Sequence, residues 1–286
     1  MTELERIAAA LDAAKGVPVL VSLLRVSGSA YRGPGARMVV LPDGSTIGAI
    51  SGGCLEKDAV AHAEQARAAG AARTITYDLT RDDEKPWGLG MGCNATLDVL
   101  FEPCPAGAPD WLRRVLEAHG RREPVTLETS PGVRESFAPP IMVVVCGEGA
   151  DTAPLMRLAA ETGWCSRAVR KEESPGRLDD RCAAVIMTHN YQRDLDLLAE
   201  LLPGEAPYIG LLGPRSRTAR LLDDLAARGA RPSESQLARL RGPVGLDIGA
   251  ETPEEIALSI AAEIRAVFSR RGGGALSQRA GPIHDR

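Results

Sequence analysis

Aromatic side chains are scarce, at 3% of the 286 residues. Proteins that hold single-stranded nucleic acid stack bases on such rings, so that class is disfavoured from the outset. Positive charge is not in excess either. The 34 Lys and Arg are outnumbered by 38 Asp and Glu, for a net charge of −4. That balance supplies no general basic field for nucleic acid or an anionic membrane. Arg215, Arg217 and Arg220 do cluster, but they alternate with apolar positions as a solvated helix face does. No apolar run approaches the ~20 residues of a membrane-spanning helix. The N-terminal stretch, residues 1–16, reads as an amphipathic helix without the basic start and apolar centre of an export signal. A cytoplasmic location is therefore expected. The six cysteines stand singly, with no CxxC pair. This excludes a zinc-ribbon framework and fits reduced thiols better than a disulfide scaffold.

What the chain has in abundance is glycine, concentrated in residues 26–56, VSGSAYRGPGARMVVLPDGSTIGAISGGCLE. Glycine adds ordering entropy and no packing area, so such a stretch serves where backbone turns sharply or approaches something closely. Around it the pattern predicts a helix over 3–14, a strand over 17–26 and a hairpin of 37–41 with 46–50 about Pro42-Asp43-Gly44. A helix over 56–69 stopped by Gly70 follows, then strands over 74–79 and 96–102. Residues 104–139 are rich in proline and read as a linker with one short helix. From residue 140 the pattern changes to buried strand, glycine turn and helix, repeated through 141–145, 182–187 and 208–212. The fold expected is α/β: an N-terminal domain over 1–103 with glycine-rich cysteine loops, and a Rossmann-like doubly wound parallel domain over 140–270. Residues 271–286 read as a disordered tail.

Four constellations carry candidate chemistry. Gly52-Gly53-Cys54-Leu55-Glu56 places a thiol between a glycine pair and a helix start, where negative charge is favoured. It reads either as a ligand- or sulfur-handling thiol in a nest of backbone N–H groups or as a small residue at a tight turn. Gly88–Asn94 sets Cys93 in a second glycine loop beside a strand; two such loops either converge on one molecule or are unrelated. Cys146-Gly147-Glu148-Gly149 follows a strand and precedes a helix, the place where a Rossmann fold holds a diphosphate. Its fingerprint is incomplete, and the next strand ends in Arg170-Lys171, which suits a 2′-phosphate better than a free 2′-hydroxyl. His189, at another strand end, either handles a proton or ligand, or caps the strand.

Taken in order, these residues resemble the XdhC/CoxI family, accessory proteins of molybdenum hydroxylases such as xanthine dehydrogenase. Gly28-Ser29 with Arg32-Gly33-Pro34-Gly35-Ala36 is similar to the family's GS-x-x-R-x-x-GA loop, and Ser51–Glu56 to its GGGCLE turn, with Ser51 replacing the first glycine. Tyr77–Thr80 with Gly88–Cys93 is similar to its second cysteine loop. Thr188-His189, Asp194, Tyr208-Ile209-Gly210, Gly213-Pro214-Arg215, 243–250 and 254–257 follow in the family's order. The chain departs at Gly147-Glu148-Gly149-Ala150, where the family has a GAGH-type turn, and at Arg170-Lys171, where it has an acidic strand end. The resemblance implies a maturation factor that binds molybdenum cofactor transiently, while a cysteine desulfurase supplies its terminal sulfido ligand, and helps deliver it to an apo molybdenum hydroxylase. On that reading Cys54 and Cys93 contact cofactor or sulfur, and Gly52, Gly53 and Glu56 shape the first loop. Arg32 and Arg37 offer charge to a phosphate; Gly147, Gly149 and His189 stand as cofactor-binding candidates on their own residues, at the C-terminal glycine turn and strand end. Self-association is left open. The residues alone also allow an NAD(P)-dependent oxidoreductase using the C-terminal half, or an interaction protein whose Rossmann-like half docks a partner.

Overall fold

Strand β1 (Val19–Gly28) is the centre of the N-terminal sheet, and its first five residues are all buried. The sequence VLVSL explains this: with side chains alternating between faces, apolar residues fall on both. Val19, Val21 and Leu23 join one core, whereas Leu20 joins another. The computed structural model describes residues 1–79 and 95–280. Within them β1 pairs antiparallel with β2 (Arg37–Val40) and with β5 (Ala95–Pro103). With β3 (Thr46–Gly48) and β4 (Arg73–Asp78), the order is β3-β2-β1-β5-β4. The first core is covered by α2 (Glu56–Ala69) through Ala59, Ala63 and Ala66. Alanines at this spacing let the helix lie close on the sheet. The second is covered by α1 (Glu3–Ala13) and α3 (Asp110–Gly120) through Ile7, Leu11 and Leu112. Each fully buried Leu or Ile contributes about 1.5–3 kcal/mol. The β2–β3 turn forms at Pro42-Asp43-Gly44 as expected, with Asp43 Oδ1 accepting from Ser45 N at 2.9 Å.

Residues 104–139, expected to be a linker with a short helix, instead carry α3 and a hairpin of β6 (Val125–Ser130) with β7 (Val133–Phe137). The prolines that suggested a linker, Pro124, Pro131, Pro139 and Pro140, all stand outside the two strands, where no ladder donor is needed. Pro131-Gly132 makes the turn, with Gly132 at φ +75°. Phe137 stacks on Trp111 of α3, ring centroids 6.0 Å apart. The chain divides into two compact units, and these elements belong to the first, Glu3–Pro139.

The second unit, Pro140–Arg279 together with Met1–Thr2, holds a five-stranded parallel sheet. Its strands are β8 (Met142–Cys146), β9 (Cys165–Val169), β10 (Cys182–Ile186), β11 (Tyr208–Leu211) and β12 (Leu240–Arg241), in the order β12-β11-β10-β8-β9, and the short α7 (Glu234–Leu237) leads into β12. This is the doubly wound architecture that the sequence predicts. Val143 and Val145 face one core with α4 (Thr152–Glu161) and α8 (Pro253–Phe268). Val144 and Cys146 face the other with α5 (Tyr191–Leu201) and α6 (Arg215–Ala227). Thr252 begins α8 with a reciprocal capping box to Glu255. In the expected tail, residues 276–278 form one 3-10 turn, and 281–286 lie outside the described residues. Among the described residues no helix is long and apolar enough to cross a membrane.

Candidate functional site

In the N-terminal unit the chain enters α2 through Ser51-Gly52-Gly53-Cys54-Leu55. Ser51 organises this turn. Its Oγ donates to Glu56 Oε2 at 2.5 Å and accepts from Gly53 N at 3.1 Å and Leu55 N at 3.2 Å, while its N–H donates to Glu56 Oε1 at 3.0 Å. Serine and glutamate thus satisfy one another and two backbone donors of the turn that precedes the helix. Leu55 is buried beneath the turn and Cys54 is exposed above it, its Sγ 3.5 Å from Ser51 Oγ. The two glycines serve different ends. Gly53 has φ +109°, a conformation that favours glycine. Gly52 lies against the Tyr31 ring, where an added Cβ would sit 3.4 Å from Cγ. Tyr31 is 68% exposed, so an open aromatic plate and an open thiol share this turn.

The two arginines expected to offer charge are engaged elsewhere. Arg32 Nη2 donates to Glu3 at 3.0 and 3.1 Å. Arg37 is a correction to the expectation. It alternates onto the sheet face of Val39, which packs on α1 and α3, and not onto the face of Met38, which packs with α2 and Leu55. Its side chain is 3% exposed, ion-paired with Glu135 of β7 and set over the Trp111 ring at 5.3 Å. Glu135 also accepts from Thr129 Oγ1 at 2.5 Å. Arg37 is a brace inside the unit. Cys93 and the 88–94 loop lie outside the described residues.

In the C-terminal unit Gly147, Gly149 and His189 do meet. The chain leaves β8 towards the α4 face and leaves the adjacent β10 towards the α5 face. Diverging connections open a crevice at the carboxyl edge, where ligands bind in such sheets. Here it measures about 400 Å³ and is lined by Gly147, Glu148, Gly149, Val169, Arg170, Lys171, Thr188, His189, Asn190, Arg193 and Leu197. At Gly147 an added Cβ would lie 2.5 Å from the backbone Met187 O, so that position is closed to side chains, whereas at Gly149 it would lie 2.3 Å from Asp151 Oδ1, a side-chain end that must move aside. His189 takes φ +57° and its Nε2 donates to Asp151 Oδ2 at 2.8 Å. Beneath it Asp194, 2% exposed, accepts from Thr188 Oγ1 at 2.5 Å and from Arg217 at 2.6 Å. Asp194, on α5, thus ties the end of β10 through Thr188 to α6 through Arg217. Cys146 is 1% exposed, and burial pushes its thiol up to about 12. It is a core residue.

Four residues of these sites do not stand out in the sequence: Ser51 as the organiser of its turn, Tyr31 as its neighbour, and Asp151 and Arg193 at the crevice. Only Ser51 leaves a signal, in its spacing to Glu56; the others depend on tertiary placement.

A model described as the XdhC and CoxI family matches residues 12–78, and one described as the XdhC Rossmann domain matches residues 143–264. The chain is 28% identical over 311 aligned residues to a Bacillus subtilis protein described as a probable xanthine dehydrogenase subunit, covering 86% of this chain and 92% of that protein. It is 28% identical over 283 residues to the molybdenum cofactor insertion chaperone PaoD of Escherichia coli, covering 90% and 85%. A crystal structure of a Bacillus halodurans protein, described as a xanthine dehydrogenase, superposes with TM-score 0.80 at 27% identity, covering 96% of this chain and 98% of that one.

Proposed function

The chain belongs to the XdhC and CoxI family, and from that premise we propose that it is a molybdenum-cofactor-binding accessory protein of a xanthine dehydrogenase-type hydroxylase. It binds the cofactor as cargo, transiently, in the cytoplasm, while a cysteine desulfurase supplies the terminal sulfido ligand, and passes it to the apoenzyme. The observation that carries this reading is the exposed Cys54 thiol on a turn held rigid by Ser51 and Glu56. A soft thiolate is a ligand type suited to such a metal centre. Because Ser51 and Glu56 satisfy each other, the turn is preorganised before cargo arrives, which lowers the cost of binding. The Tyr31 ring beside Gly52 offers a flat apolar surface to a planar heterocycle. Cys93 is the second thiol contact expected from sequence.

The test is anaerobic purification from cells that make the cofactor, followed by molybdenum and pterin analysis of wild type and Cys54→Ala in parallel. Wild type is expected to retain both in equal amounts and the variant to lose most of each. Absence of molybdopterin from the wild type, together with full client activity when Cys54→Ala replaces it in cells, would defeat the reading.

A further inference from the structure

We propose that the C-terminal crevice binds a nucleotide carrying a phosphate monoester on its ribose, the NADP(H) class. This goes beyond cofactor maturation and is independent of it. The crevice sits at the topological switch point between β8 and β10, and its 400 Å³ is of ligand size. Gly147-x-Gly149 leads through Asp151 into α4, whose dipole favours an anion there although its first N–H, that of Thr152, already donates to Gly149 O at 3.1 Å. Gly147 is required for the turn itself, because a Cβ there would strike the backbone Met187 O. These features suit any dinucleotide diphosphate.

The end of β9 decides which one. A site that reads a free 2′-hydroxyl places a carboxylate there to accept its hydrogen. Here Val169 is followed by Arg170 and Lys171, both lining the crevice. Their turn is closed on itself, Glu173 N donating to Arg170 O at 3.0 Å and Arg170 N to Glu173 Oε2 at 3.1 Å. Neither side chain has an ion pair among the described residues, whereas nearby Arg217 is paired with Asp194. Two unspent cations on a fixed turn match a dianionic phosphate. Among the lining residues Arg170, Lys171 and Arg193 outnumber Glu148, and the nearby Glu173 carboxylate is held by the Arg170 backbone N–H while its carbonyl accepts from Arg193.

The experiment is calorimetric titration of the full-length protein with NADPH and with NADH, at low and at physiological salt, with inorganic phosphate as competitor. NADPH is expected to bind at least about tenfold more tightly than NADH, since one charge-assisted contact is worth that much. Raised salt weakens NADPH more than NADH. Arg170→Ala/Lys171→Ala, both exposed positions, lowers NADPH affinity about tenfold or more and leaves NADH unchanged. Lys171→Glu does the same, and an unchanged melting point shows that either variant is folded. Equal affinities for the two nucleotides, no NADPH binding, or an unaltered NADPH affinity in the variants overturns the proposal. None of these outcomes alters molybdopterin retention, which reads the N-terminal unit's cargo separately.

Discussion

Among the described cysteines, exposure separates one from the rest: Cys54 is open, Cys165 is half-buried, and Cys104, Cys146 and Cys182 are buried. Iodoacetamide at pH 8 is therefore expected to modify Cys54 in the native protein and to spare Cys104 and Cys146 until denaturant is added, as peptide mass mapping would show. Burial pushes the Cys104 thiol up to about 11 and that of Cys146 up to about 12. The unfolded chain releases these protons near the ordinary thiol pKa, about 8.5. The stabilisation is thus complete below that pH and is lost as pH climbs towards each folded value. Over that interval Cys146 lowers stability by about 1.4 kcal/mol per pH unit. Urea unfolding at pH 7.5, 9.5 and 10.5 checks this, and Cys146→Ala should flatten the decline while lowering the pH 7.5 value. A decline of the same slope in the variant would assign it to other groups. Cys54 was legible in sequence because a glycine pair precedes it and a helix start follows. Its rigidity was not, because Ser51 looks like a glycine replaced, and only the folded turn aims its hydroxyl at Glu56. Removing that hydroxyl, Ser51→Ala, leaves two backbone donors without their acceptor and is expected to cost about 1–2 kcal/mol.

At the scale of elements, the hairpin β6–β7 is where sequence and structure part. Its strands alternate apolar and polar residues weakly, and flanking prolines dominate the composition. What anchors it is long-range: Glu135 pairs with Arg37 of β2, and Phe137 stacks on Trp111. Two buried Arg37 nitrogens, Nε and Nη1, have no hydrogen-bond partner, so the guanidinium is held by its ion pair with Glu135 and the Trp111 face, with the Glu102 carboxylate as a further charge nearby. Glu135→Ala would strand that charge, with an expected loss on the order of 3 kcal/mol in urea unfolding. Arg37→Met/Glu135→Leu removes both charges and should recover much of the loss. If the double variant is as unstable as the single, packing rather than charge holds the hairpin. By contrast, the strands of the parallel sheet were legible because IMVVV and CAAVIM are buried on both faces and need no partner to be recognised. Yet the same sheet hid its crevice. The order that juxtaposes Gly147 with His189 is a property of strand pairing, and no local pattern carries it.

At the scale of the molecule, the chain is two units whose boundary falls at Pro139-Pro140, between the end of β7 and the start of β8. Each has a sheet covered on both faces by its own helices, with separate cores for each face. Each also exceeds the ~60 residues below which a single core is marginal. Among the described residues each sheet draws all its strands from one unit. Fragments 1–139 and 140–280, expressed apart, are expected to fold, each giving one cooperative thermal transition by circular dichroism. Because the N-terminal fragment contains α3 and the β6–β7 hairpin, cutting at residue 103 instead should fail. It removes Leu112 from the core under α1 and leaves Arg37 buried without Glu135, losses that together approach the whole stability of a small domain. A fragment 1–103 that melts as sharply as 1–139 would make α3 and the hairpin dispensable, and the boundary would then lie where the prolines begin.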